Sequence, residues 1–276
     1  MDADEVLERY SAGERDFREC NLVGIDLTGQ TLEDVDLRRA VLMHANLSQA
    51  NLSGANLREA NLQNSVLERT ILTEVNLIGA SVSSASLKGA QLKGAGLRAA
   101  NLTRTNLEHA NLTRCNLSEA LLGHTNLSQT NLKQTNFNRS KLTRANLAWA
   151  SMESAVLTGS LLNEACLDNA NLTNAVMHGV NLQDAHLYRA NLSHVKIIGA
   201  NLQNASLVEA DMRNALLNWT SMRGVDLTKA SLYKADLSWA NLSDANLTET
   251  VLISANLRHT NLLNAKLTGA MMPDMY

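Results

Sequence analysis

Aromatic residues are scarce: phenylalanine, tyrosine and tryptophan make up 3% of the 276 residues. A core of this size cannot rest on large rings, as compact cores usually do, and leucine must carry the burial. Proline occurs once, at Pro273, so no proline-rich linker divides the chain. No apolar run reaches the roughly 18 residues that suggest a membrane-spanning helix, which argues against a membrane. The first residues, Met1-Asp2-Ala3-Asp4-Glu5, are acidic and lead into no apolar stretch, unlike a signal or transit peptide. The three cysteines, Cys20, Cys115 and Cys166, are an odd number set far apart. They make no disulfide framework and suit a reducing compartment, so a cytoplasmic location is expected. The net charge of -3 supplies neither the basic excess of a direct nucleic-acid binder nor the strong acidity of a nucleic-acid mimic.

What the sequence has instead is a period of five. Marks placed on Phe17 and every fifth residue after it run unbroken to Met272. Of these 52 positions, 43 are leucine. The others are Phe17, Val82, Phe137, Met152, Met177, Ile197, Met212, Met222 and Met272, all apolar. From Val35 onward, two residues before each mark sits a small residue, usually alanine and otherwise serine, threonine, cysteine or valine, and the residue just before the mark is most often asparagine, as in Ala45-Asn46-Leu47-Ser48-Gln49.

Five residues turn an α-helix by about 500°, so the leucines would spiral around it and form no stripe. In an unbroken strand, an odd step sends successive leucines to opposite faces. The pattern closes only if the chain bends once per repeat, winding into a tube lined by leucine and alanine. Glycine locates the bend. Eleven of the 14 glycines, among them Gly24, Gly159, Gly179 and Gly199, lie two residues after a mark, where Asn64, Asn169 and Asn204 also fall. Glycine and asparagine tolerate the positive φ that the third residue of a type II turn requires.

These residues resemble the pentapeptide-repeat family over residues 15–274. The resemblance implies an all-β fold, a right-handed quadrilateral β-helix with four pentapeptides to each coil. That makes about 13 coils in a rod roughly 60 Å long. Residues 1–14 stand apart as a short N-terminal capping helix: Val6, Leu7 and Tyr10 share a face, acids crowd the first turn and Gly13 stops it. Such a cap covers core and strand edges that an open coil exposes. Residues 275–276 form a tail, and the C-terminal coil is covered by that tail or by a second subunit, as in a homodimer. Each coil buries about four leucine-type side chains, worth about 1.5–3 kcal/mol apiece. Stacked asparagines such as Asn181, Asn201, Asn241 and Asn261 can bond along the axis.

With four repeats per coil, residues four repeats apart become neighbours, and the sequence becomes a surface map. Arg18, Arg38, Arg58 and Arg98 share a column broken by Ile78, with Asp16, Asp36, Glu19 and Glu59 nearby. This is either a basic stripe for an acidic partner or a solvated face of self-compensating charge, and weak surface pairs favour the second. Val156, Val176 and Leu216 occupy the usual asparagine slot, with Lys196 between them. Gly159, Gly179 and Gly199 smooth the adjoining column, which Trp219 and Trp239 continue. Outward apolar residues beside stacked tryptophans suggest a protein contact; a locally degenerate repeat is the plain alternative.

Cys166 and His186 share a slot in adjacent coils, with Asp168 and Tyr188 close by. A nucleophilic dyad is conceivable, but a convex wall offers no cleft to exclude water. Cys20 and Cys115 fall in the small inward slot and read as core. The remaining histidines do not cluster: His44 and His124 lie four coils apart, roughly 19 Å. No metal-ligand set, phosphate-cradling glycine motif, nucleophile elbow or paired-carboxylate pocket is present, so neither metal nor cofactor is expected.

The expected function is therefore a non-enzymatic protein–protein interaction or regulatory scaffold with a protein partner. Within the family the chain is most similar to cyanobacterial cytoplasmic members. The carrying residues are the N-terminal stretch Glu5-Val6-Leu7-Glu8-Arg9-Tyr10-Ser11-Ala12-Gly13-Glu14-Arg15-Asp16-Phe17 and the C-terminal stretch Leu267-Thr268-Gly269-Ala270-Met271-Met272-Pro273-Asp274. One such member regulates heterocyst differentiation, so the resemblance implies a regulatory binding role in cell differentiation or signalling. The alternative is a DNA-mimic binder of DNA gyrase, as in the fluoroquinolone-resistance members. Those are acidic, use phenylalanine at the central position and interrupt their coils with loops. This chain is nearly neutral, has two phenylalanines and has no loop.

Overall fold

The structure, a computed structural model, describes residues 1–273. It divides into two units, Met1–Asn136 and Phe137–Tyr276. The residue expected to end the repeats, Asp274, and the expected tail at 275–276 lie outside the described residues. In each unit the residue before a mark forms a parallel bridge with its counterpart four repeats further on, as in Asp16↔Asp36 and Asn21↔Val41 in the first and Val156↔Val176 in the second. Each repeat supplies one rung and four rungs complete a coil, so each unit is a right-handed quadrilateral β-helix.

The repeat motif follows from hydrogen bonding, as the five amides around Leu47 show. The Asn46 amide donates to the carbonyl of Ile25 at 2.8 Å, and the Leu47 amide to that of Val66 at 2.7 Å. The Gln49 amide donates to Glu68 at 2.8 Å, and the Ala50 amide closes the turn on Leu47 at 3.1 Å. The fifth amide, of Ser48, points away from both neighbouring coils and donates to the Asn46 side chain at 3.2 Å. Asparagine and aspartate are the side chains whose length reaches their own backbone two residues on. Where the slot before the mark holds asparagine or aspartate, its side chain can thus complete the turn. The expected ladder between coils is present as well: Asn201 donates to Asn181 at 3.3 Å and Asn261 to Asn241 at 3.1 Å.

Glycine and asparagine marked the bend, but the bend does not depend on them. Every residue two past a mark, from Glu19 to Gly269, has positive φ, and most of these residues are not glycine. Trp149, Trp219 and Trp239 sit there at φ 62°. A side chain in this region costs about 1–2 kcal/mol. The ladder bond from the same residue's amide, such as Gln49 to Glu68, holds the conformation in place.

Leucines and alanines fill the interior. In the first unit, the marked residues from Phe17 to Leu132 are at most 3% exposed. Hydroxyls in the alanine slot turn to backbone carbonyls: Thr70 donates to Leu47 at 2.7 Å and Thr105 to Val82 at 2.8 Å. Cys115 is buried in that slot, its thiol directed at the Leu92 carbonyl. Cys20, also read as core, is half-exposed because it belongs to the first coil, which has a coil on one side only.

Helix α1 (Ala3–Ser11) lies against that first coil. Asp2 caps it by accepting from the Glu5 amide at 2.9 Å, and Gly13 leaves it with φ 96°. Val6 is buried, the Arg9 guanidinium lies 5.1 Å from the Phe17 ring centre, and the Tyr10 hydroxyl donates to the Glu33 carbonyl at 3.1 Å. In the second unit the marked residues are buried from Phe137 to Leu252. In its last coil, for which the sequence leaves a covering tail or a second subunit, the marked residues Leu267 and Met272 are 41% and 39% exposed.

Candidate functional site

The arginine column of the first unit exists as expected. Arg18, Arg38, Arg58, Ile78 and Arg98 occupy successive rungs, their carbonyls linked by ladder bonds from Glu19, Arg39, Glu59 and Gly79. These arginines do not present free charge. Arg18 clasps Asp16 at 2.5 Å and Arg38 clasps Asp36 at 2.6 Å. Arg58 meets Glu59 at 3.1 Å and Arg98 meets Glu119 at 3.4 Å, while Arg39 links to Glu59 at 2.9 Å. Hydrogen bonds from the Arg18 side chain and amide hold the Asp16 carboxyl down to about 2. A surface groove of about 240 Å³ lies among Arg18, Glu19, Arg38, Arg39, Arg58 and Glu59. Both signs line it, and such exposed pairs contribute little individually.

The apolar patch belongs to the second unit. Val156, Val176, Lys196, Leu216 and Asp236 are consecutive rungs of one ladder. Val156 and Val176 are half-buried and Leu216 is 37% exposed. The adjoining column carries Gly159, Gly179 and Gly199 and then Trp219 and Trp239, all at positive φ. A Cβ placed on Gly179 or Gly199 would meet no atom within 4 Å, so the surface above them is open. The two indoles stack in parallel, their centres 4.9 Å apart and their planes 1° from parallel. That spacing is the rise between coils, so the register of the ladder itself stacks them.

His259, which the sequence reading missed, extends the stack at 4.1 Å from Trp239. Its signal was present, since it stands four repeats beyond Trp239 in the same slot. Trp219 is 60% exposed and Trp239 48%. Trp149, though 64% exposed, lies on another face of the unit, in the column of Asn169 and Arg189.

An apolar residue in the asparagine slot removes the acceptor for the amide two residues on. After Val156, the Thr158 amide donates instead to Asn138, one coil back, at 3.1 Å. The same substitution follows His186, where the Tyr188 amide donates to Asp168 at 2.8 Å. Asp168 is thereby bound to the turn. Cys166 and His186 are adjacent rungs, but burial, with the nearby Asp168 carboxylate, pushes the Cys166 thiol up. Attack requires the thiolate, so the dyad is poorly set for nucleophilic chemistry. Among the described residues, no group of three His, Cys, Asp or Glu side chains could hold a metal ion. None of their helices is long and apolar enough to cross a membrane.

The chain matches the family description "Pentapeptide repeats" in eight overlapping copies, at residues 20–58, 50–89, 90–129, 120–159, 155–193, 190–232, 210–248 and 235–272. It belongs to the pentapeptide-repeat family. Among solved structures it is similar to HetL, a pentapeptide repeat protein involved in heterocyst differentiation regulation from the cyanobacterium Nostoc sp. strain PCC 7120. The two are 32% identical over 99% of this chain and 98% of HetL, with a TM-score of 0.51. It also matches QnrB1, a plasmid-mediated fluoroquinolone resistance protein, at 14% identity over 95% of this chain and 94% of QnrB1, with a TM-score of 0.34. A third match is alr5209, a pentapeptide repeat protein from Nostoc PCC 7120, at 32% identity over 44% of this chain and 80% of that one, with a TM-score of 0.24. None of the curated proteins compared with the chain matches it.

Proposed function

We propose that this protein is a non-enzymatic docking scaffold and that its partner, a protein, binds the second unit over Val156, Val176, Leu216, Trp219 and Trp239. One observation carries the reading: two tryptophans and a histidine stand stacked and exposed beside half-exposed aliphatic residues and an open glycine column. Rigid, exposed tryptophans next to small residues have the makeup of an interface centre, where loss of one large anchor costs about 2 kcal/mol or more. The ladder already orders the stack, so binding loses little side-chain freedom there. Similarity to HetL supports a regulatory role in cyanobacterial cell differentiation or signalling.

The test compares the wild-type chain with a Trp219→Ala, Trp239→Ala variant as bait in an extract of the source organism, followed by affinity measurement on the recovered protein. Removing both anchors should raise Kd by about thirtyfold or more. Undiminished affinity removes the site. Purified DNA gyrase serves as the comparison ligand for the gyrase alternative. No inhibition of supercoiling is expected, because the mixed charges of the chain do not reproduce the acidity of DNA.

A further inference from the structure

Charge is distributed unevenly over the second unit. Three of its faces carry nine of the ten carboxylates between residues 137 and 273. Most cations on those faces are neutralised there: Arg144 pairs with Glu164 at 2.8 Å, Arg189 with Glu209 at 2.6 Å and Arg213 with Asp211 at 2.6 Å. Arg223 pairs with Asp244 at 3.1 Å and Lys229 with Glu249 at 3.9 Å. The face that carries the tryptophans is different. Its cations are Arg139, Lys196 and Arg258, all exposed. Among the described residues none of the three has an ion-pair partner. The one carboxylate of that face, Asp236, already accepts from the Asn256 side chain at 2.9 Å and the Ser238 amide at 3.0 Å.

The stack also has a direction. Trp239 covers one face of Trp219, and His259 lies beyond Trp239. The other face of Trp219 looks toward the preceding coil, where Gly199 stands in the same column with open space above it. Gly179, one coil further back, is equally open. The result is a shelf, floored by glycine backbone and walled at one end by an indole, with Lys196 and Leu216 along its side and Arg258 beyond the stack.

Building on the docking face proposed above, we infer that the partner contributes an acidic segment. An aromatic or aliphatic side chain of that segment lies on the free face of Trp219 above Gly199, and its carboxylates face Lys196 and Arg258. Unpaired cations around an apolar centre attract carboxylates and repel basic partners, so they set the sign of the partner more than its affinity. The observations favour a peptide over a single-stranded nucleic acid. Base binding would use several separated stacking faces along a basic track, whereas here the indoles spend their facing surfaces on each other.

The test uses the full chain and fluorescence anisotropy with three labelled probes: a glutamate-rich peptide with one central phenylalanine, its lysine-rich counterpart, and an oligothymidine. At about 20 mM salt the glutamate peptide should bind at least about tenfold tighter than the lysine peptide, and the difference should shrink at about 500 mM. A Lys196→Glu, Arg258→Glu variant changes two exposed side chains and should abolish or invert that preference. Trp219→Ala should weaken the glutamate peptide about tenfold without inverting the preference. Equal affinities, undetectable binding of the glutamate peptide, tighter binding of oligothymidine, or a preference that survives the charge reversal each overturns the inference. A recovered partner that needs Trp219 and Trp239 but ignores the charge reversal leaves the docking face in place and removes only the acidic segment.

Discussion

Ala99 and Ala100 are neighbours, and replacing each by glycine should change stability in opposite directions. Ala99 lies two residues past a mark, exposed, with φ 55°. Ala100 lies two residues before the next mark and is fully buried. At Ala99, glycine removes a left-handed penalty of about 1–2 kcal/mol. It adds about 0.5–1 kcal/mol of unfolded-chain freedom. The ladder bond from residue 99 to the Ser118 carbonyl at 2.9 Å uses only backbone and survives. Ala99→Gly should therefore stabilise the protein by about 0.5–1 kcal/mol. At Ala100, glycine relieves nothing. It removes a buried methyl, worth about 0.8 kcal/mol, and adds the same chain freedom, for a loss of about 1.5 kcal/mol before any cavity cost. Guanidinium unfolding of both variants and the wild type separates the outcomes, with equal slopes required so that midpoints report stability. Midpoints displaced to opposite sides of the wild type are expected. If Ala99→Gly lowers the midpoint as Ala100→Gly does, positive φ carries no strain in these turns, and the account of how non-glycine residues are held there fails.

Two further outcomes follow from the same hydrogen-bond pattern. Asp16, clasped by Arg18, has its folded carboxyl held down to about 2, below the ordinary value near 3.9. Its contribution to stability is thus complete above the ordinary value and is lost as pH falls toward 2. Carbon-detected NMR titration should place its midpoint near 2, and Arg18→Ala should return it toward the ordinary value; an unchanged midpoint in that variant rules out the clasp. Val176→Asn restores the acceptor that the His178 amide lacks among the described residues. It should raise the unfolding midpoint by the equivalent of about 0.5–1.5 kcal/mol while weakening capture of the docking partner. A variant that loses stability shows that the outward valine is there for packing.

Much of the fold was legible because one register governs it. Leucines in phase from Leu22 to Leu267 and small residues two positions earlier require a bend per repeat and an inward stripe. The positive φ of Glu59, Arg104 or Trp219 was not legible. No local propensity asks for it; the ladder on either side of the turn imposes it. Nor could the sequence show that asparagine first completes its own turn, as Asn46 does for Ser48, since the coil-to-coil recurrence suggests only its bonds between coils. At the surface, the columns of Arg18 to Arg98 and of Trp219 and Trp239 were legible once the coil length was set. That the arginines compensate with nearby carboxylates was legible too, but the particular pairs were not, because Arg18 and Arg38 fold back on residues two earlier, a matter of rotamer and not of register.

That division explains why the tryptophan face draws attention. The two inward residues of each repeat build the core and the asparagine completes the turn, so the two residues after the mark are free to vary. An apolar residue in place of the asparagine gives up an acceptor, and an outward side chain gains little burial in return. Elsewhere it happens singly, as at Val66 between Asn46 and Ser86 and Ile71 between Asn51 and Gln91, or as the pair Val251 and Met271 at the last coil. On the tryptophan face it happens at Val156, Val176 and Leu216, three of four successive rungs, with Lys196 as the fourth. Among the described residues, only the first of these turns regains an acceptor, through Asn138. A stretch of coil that forgoes turn hydrogen bonds on one face, and sets unpaired cations and stacked indoles beside the gap, gives up stability of its own, which is the trade that the docking face proposed above requires.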